Sequence, residues 1–264
     1  MEIAGRFIEW WLTLPAAAVI GILLVLQVSV AAVMHSLIVG RATGGFFTRH
    51  CRATPIIMMP ITVMFALLVG FLGAEIGQRN QRAERCIADE GRALETIHFL
   101  TRAAREHSAG VRKAALGYAT LAVEDEYPQF GRLGESAAAA RAVDELERTV
   151  AEYANSQEGS AVAAGGIMEA VLLLKKSRSE RGLLVRESSA FEWITVLALS
   201  VLAIIAIGIG HTDDSGMRIT SWCLFIPAMV TVLGLLALRE NPYRPPLSVS
   251  IAPLEAARSH LSLP

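Results

Sequence analysis

His211, Asp213 and Asp214 fall within four residues, a cluster of donor types that can hold a divalent metal. It sits in a ten-residue loop with no second histidine nearby in sequence, so a solvated turn is the preferred reading and no metal site is assigned. Glu75 and Arg79 are spaced i, i+4 at the end of an apolar run, where an acid–base pair at the interface is the preferred reading over a place on an ion path. His35 lies near the end of another apolar run and reads as a half-buried boundary histidine. Cys51 and Cys223 fall at corresponding ends of two runs, where a bridge is geometrically open; Cys86 reads as a packing thiol. There is no G-x-S-x-G, H-E-x-x-H, P-loop or G-x-G-x-x-G. Nothing supports an enzyme, and no cofactor is implied.

What would position such residues is a set of long apolar segments. Of 264 residues, 53% are hydrophobic and 19% charged, against about 45–50% and 25% in soluble domains. The mean hydropathy is +0.45. Lys+Arg number 24 and Asp+Glu 25, which argues against nucleic acid as a partner, and three cysteines exclude a disulfide scaffold. Four stretches reach the roughly 20 residues that cross a bilayer: about 14–39, 55–76, 193–210 and 221–238. Trp10, Trp11, Trp193 and Trp222 lie at or just before the start of a stretch, as residues of the membrane–water boundary do. The first stretch is too long for a signal-peptide core and lacks a basic leader, so it reads as a retained helix. Pro60 and Pro227 sit inside spans, where each removes a backbone donor and can kink the helix.

The expectation is an all-α membrane protein: an N-terminal transmembrane hairpin (1–77), a helical insert between helices 2 and 3 (78–191), a C-terminal transmembrane hairpin (192–240) and a tail (241–264). Thirteen Lys and Arg flank the membrane on the side of the insert and termini, against four on the other. The positive-inside rule then puts both termini and the insert in the cytoplasm of a multi-pass inner-membrane protein. The loop Gly40–Thr54, with Arg41, Arg49, Arg52 and no acid, runs against that count. The second span has no breaker at its end, so it continues as one helix with Ile87, Leu94, Ile97, Leu100 and Ala104 at 3–4 spacing. Glu124–Asp125–Glu126 before Pro128, Gly131 and Gly134 reads as a turn. Further helices are expected from about Ser136 to Tyr153 and from near Ala161, the latter with Ile167, Val171 and Leu174 inward.

Two segments carry a resemblance. Met59–Leu94 (MPITVMFALLVGFLGAEIGQRNQRAERCIADEGRAL) resembles the second helix of bestrophins, with a Pro-led apolar run, a Gly-Phe pair and a polar continuation. Asn241–Ala257 (NPYRPPLSVSIAPLEAA) is similar to the end of the bacterial bestrophin-like domain family. Pro242, Tyr243, Pro246, Leu247, Val249, Ser250 and Pro253 match its pattern, while Asn241 and Pro245 depart from it. The resemblance implies a homo-oligomer, a pentamer in that family, conducting small inorganic anions such as chloride, with the second helix lining the pore. Its apolar neck carries over to Val63, Leu67 and Phe71 when anchored on Gly70–Phe71, or toward Met59 and Val63 when anchored on Pro60; Glu75 and Arg79 would lie at the pore end. Calcium gating is not expected, because the only acids after Leu238 are Glu240 and Glu255. The competing readings are a non-conducting scaffold and a sensor, each using the cytoplasmic bundle to bind a protein partner; a membrane enzyme is third.

Overall fold

A computed structural model describes residues 2–40, 58–104, 108–156, 161–186 and 190–263. Every regular element among them is a helix: α1 (Glu2–Leu12), α2 (Ala16–Val39), α3 (Met58–Ala103), α4 (Ala109–Leu121), a π-helical stretch (Ala122–Glu126), α5 (Tyr127–Leu133), α6 (Ala137–Asn155), α7 (Ala161–Arg186), α8 (Ala190–Gly210), α9 (Ser215–Arg239) and α10 (Ala252–Ser262). Four helices are long and apolar enough to cross a membrane. The chain divides into two compact units, residues 1–77 with 188–240, and residues 78–187 with 241–264.

The first unit holds the apolar helices. Its core joins Val19 and Leu23 of α2, Leu72 and Ile76 of α3, Val196 and Ile204 of α8, and Leu233 of α9. Gln27, fully buried in α2, donates to Ser200 Oγ of α8 at 2.7 Å, and Ser200 passes its own proton to the Leu197 carbonyl at 2.7 Å. Such a bond satisfies side chains that lipid cannot. Three of the four boundary tryptophans are packed inside the unit: Trp11, Trp193 and Trp222 are buried, and their indole N–H groups donate to Val19 O, Glu240 Oε2 and Ile204 O at 3.4, 3.1 and 3.2 Å. The helix α1 was not foreseen, because eleven residues are too few to stand out beside a 24-residue apolar run.

In the second unit the long continuation of α3 appears as expected: the helix has 46 residues, about 69 Å at 1.5 Å per residue. Ile87, Leu94 and Ile97 are fully buried against Ile167, Val171 and Leu174 of α7 and Leu146 of α6. The turn read into the stretch from Glu124 to Gly134 forms only at its last residue. The chain stays helical through a π stretch into α5 and turns only at Gly134, where φ is +74°. Pro128 follows directly on the π stretch inside this continuous helical run, where its missing N–H removes one backbone donor from the ladder. Of the three acids, Glu126 is fully buried while Glu124 stays exposed.

His98 of α3 shows one consequence of this packing. Burial, then the charges of Arg102, His260 and Arg112, hold its imidazole below the ordinary value of 6.5. A base whose pKa is lowered by folding contributes stability above its unfolded pKa and loses it as pH falls, because the unfolded chain takes up the proton first. The melting temperature is therefore expected to fall as pH drops through about 6.5. His98→Gln should flatten that fall; an unchanged slope would assign it to other groups.

Candidate functional site

The expected neck residues share one face of α3. Val63, Leu67 and Phe71 follow at i, i+4 and i+8, which stacks their side chains along the helix. They are 53%, 57% and 70% exposed, while Phe65, Leu72 and Ile76 on the opposite side are buried in the first unit. A Cβ at Gly70, beside this stripe, would meet open space. Glu75 is exposed, whereas Arg79 is only 2% exposed. The Met59 side chain and Cys51 lie outside the described residues; Cys223 is a free thiol.

At the end of the first unit that carries His35, Arg218 is buried. It donates to the carbonyls of His211 and Thr212 at 3.1 and 3.3 Å, beyond the C-terminus of α8, and lies 3.4 Å from His35 Nδ1. A cation there is favoured by the negative end of the helix dipole. Asp214 caps α9 by accepting from the Met217 N–H at 2.9 Å. The His211–Asp214 segment is a turn that caps α9, and no group of metal-binding residues occurs among the described residues.

The second unit contains a charged cluster that the sequence did not reveal. Glu90 of α3, Glu126 of the π stretch and Arg181 of α7 are all fully buried. Arg181 pairs with Glu126 and lies 3.4 Å from Glu90, and Arg178 donates to Glu126 at 2.6 Å and to the Ser136 carbonyl at 3.2 Å. The Ser136 N–H donates to Glu126 at 2.8 Å, so the same carboxylate fixes the start of α6. Tyr118 donates to Glu90, as does Tyr127 at 3.1 Å. The Arg181 guanidinium lies 4.4 Å from the ring centroids of both Tyr127 and Phe130, within cation–π range. Burial, then the neighbouring Glu90 charge, raise both tyrosines well above 10, which keeps them neutral donors. Burial alone would lower Arg181, but Glu90, Tyr127, Tyr118 and Glu126 outweigh it and hold the guanidinium charged. Burial, then Glu180, push the Cys86 thiol up to about 11, which favours the neutral thiol. Two acids against two bases make a neutral clamp that joins α3, the π stretch and α7.

The tail motif closes this cluster. Pro242 and Tyr243 are buried, Val249 is half-buried, and Pro246 and Leu247 face outward. Asn241 donates to the Gly131 carbonyl at 3.1 Å and accepts from the Tyr243 N–H at 3.0 Å, while the Val249 N–H bonds Pro242 O at 2.8 Å. The Tyr243 ring meets Phe130 edge-on at 4.9 Å. A Cβ at Gly131 would come 2.8 Å from the Tyr243 carbonyl, and one at Gly91 would come 2.9 Å from Pro253. Glycine lets the strap and α10 lie directly on α5 and α3. Spacing hid the cluster, because its members are separated by up to 91 residues and two of its arginines looked like membrane-flanking charge. With the buried Arg79, Arg178, Arg181 and Arg218 set aside, the flanking count still favours the insert side, ten against three.

Four apolar helices in one unit and a helical bundle with a buried ionic clamp in the other define a multi-pass helical membrane protein. The bestrophin-like domain model matches residues 15–254, and the chain belongs to that family. A comparison with curated proteins gave no match. Among similar solved structures is a bestrophin homologue from Klebsiella pneumoniae carrying a single substitution, 13% identical, covering 92% of this chain and 97% of its own, with a TM-score of 0.72. Another single-substitution form of the Klebsiella pneumoniae homologue is 14% identical over 92% and 95%, with a TM-score of 0.71. A structure described as a membrane protein is 16% identical over 92% and 97%, with a TM-score of 0.67. At these identities the likeness is one of fold.

Proposed function

We propose that the protein is an oligomeric ion channel, anion-preferring, in which α3 of each copy lines a shared pore and Val63, Leu67 and Phe71 form its apolar neck. The observation that carries the reading is the two-sidedness of α3. One side is buried in its own chain, and the other presents an apolar stripe more than half exposed among the described residues. Rings of such side chains gate a pore by dewetting. Family membership supports conduction, and the preference for anions rests on the resemblance to bestrophins. Both termini and the second unit are cytoplasmic in this reading, and the number of copies is five by resemblance. Glu75 and Arg79 lie at the inner end of the proposed pore.

The test is chloride flux from liposomes containing purified protein, together with subunit counting in detergent. Flux with a closed ring of copies is expected. A stable monomer, silent at every voltage and pH, would sink the channel. It would favour a scaffold or sensor that binds a cytoplasmic protein partner, a reading to which the exposed Phe99 and Val162 of the second unit lend support.

A further inference from the structure

The short helix α1 has three differently committed sectors. Ile8 and Trp11 are buried, at 4% and 1% exposure. The Trp11 indole bonds the Val19 carbonyl of α2 at 3.4 Å, and its ring meets Trp193, near the start of α8, edge-on at 5.5 Å. Phe7 and Trp10 are each 53% exposed, with ring centroids 5.7 Å apart. At 100° per residue Phe7 lies beside Trp11, and Trp10 follows between Phe7 and Arg6, where the apolar arc meets the polar one. The remaining arc holds Glu2, Arg6 and Glu9 in the sequence, and Arg6 is exposed.

Helix–helix packing therefore uses only half of the apolar arc. The rest is an aromatic pair standing at the level where two spanning helices begin. α1 reaches α2 through Thr13 and Leu14, and Thr13 folds back with both its N–H and its hydroxyl on the Trp10 carbonyl, at 3.0 and 2.6 Å. That bend turns the helix away from simple continuation into the span. Its eleven residues extend about 16 Å, too short to cross a bilayer. A helix with the charged Glu2, Arg6 and Glu9 on one arc and aromatic rings on the other suits the boundary between headgroups and acyl chains. The surface of α2 continues the same apolar exposure through Ile20, Leu24 and Val25.

We propose that α1 is an in-plane interfacial helix whose Phe7 and Trp10 insert into the phospholipid interface, while Ile8 and Trp11 lock it to α2 and α8. The partner is the lipid surface itself. The assignment is independent of whether the protein conducts.

The experiment uses the full chain in nanodiscs of phosphatidylcholine with phosphatidylglycerol. Tryptophan emission is compared between wild type and Trp10→Phe, with acyl chains brominated close to the headgroup and with aqueous iodide. The Trp10-dependent part is expected to lose at least half its intensity to the brominated lipid and to be spared by iodide. A second arm measures trypsin cleavage after Arg6. Phe7→Ser with Trp10→Ser is expected to speed it about tenfold in nanodiscs, with an unchanged melting temperature in detergent, because neither side chain belongs to the buried core. Quenching of Trp10 by iodide and not by lipid would overturn the proposal in favour of an aqueous face. Protection from both quenchers would overturn it in favour of a second copy covering the pair. Equal cleavage of wild type and double variant would count against lipid insertion as well.

Discussion

Arg181→Met is expected to destabilise the second unit by about 3–5 kcal/mol, the cost of stranding buried carboxylates without their cation. Glu90 and Glu126 are both fully buried, and each faces Arg181. Glu126 would keep Arg178 at 2.6 Å and the Ser136 N–H at 2.8 Å, so Glu90 carries most of the loss with only two tyrosine hydroxyls left to it. Tyr127 and Phe130 would also lose the guanidinium between them. Thermal unfolding followed by circular dichroism measures the effect. Arg181→Met with Glu90→Gln is expected to recover part of it, since the stranded charge is removed along with its partner. No recovery in the double variant would mean that Arg181 acts through ring packing and volume instead of charge. The exposed pair Arg148–Glu145, 66% and 54% exposed, offers the contrast: Arg148→Met should leave the melting temperature nearly unchanged.

Phe71→Ala is expected to raise chloride flux about tenfold, which corresponds to some 1.4 kcal/mol off the barrier to permeation. An ion crossing an apolar ring sheds water, and replacing five phenyl groups by methyls, if five copies close the ring as proposed, leaves room for more of that hydration. Phe71 is 70% exposed within its own chain, so the substitution should leave folding within about 0.5 kcal/mol. Leu67→Ala should act in the same direction. Leu72→Ala is the control on the other side of the helix. Leu72 is 1% exposed, and its truncation should cost about 2–5 kcal/mol of stability with little change in flux per folded channel. Equal flux from wild type and Phe71→Ala would place the rate-limiting constriction elsewhere.

Much of the fold was legible because a bilayer is a demanding solvent. Twenty apolar residues in a row have few other fates, and the backbone inside lipid must be helical. The unbroken run from the second span into the polar segment, with Ile87, Leu94 and Ile97 in phase, marked the 46-residue helix for the same reason of regular spacing. The candidate neck was legible as a stripe and through a resemblance, since i, i+4, i+8 needs nothing beyond the helix itself. The turn was legible in Gly134, but the helical state of the acidic trio before Pro128 was not, because composition alone does not reveal a carboxylate paired across the bundle. Glu126 differs from Glu124 only in which arginines reach it, and those lie 52 and 55 residues away.

The sequence by itself therefore determined the helical class, the four apolar helices, the long third helix and the membership signalled by the tail. Each depends on residues close together in the chain, where periodicity and solvent preference leave one solution. Only the tertiary structure decided that Arg178 and Arg181 are a core clamp and not flanking charge, that Tyr243 of the tail closes on Phe130, and that Trp10 faces out while Trp11 faces in. Those outcomes depend on which distant surfaces meet, because burying a charge or a ring is settled by the partner that arrives from another helix.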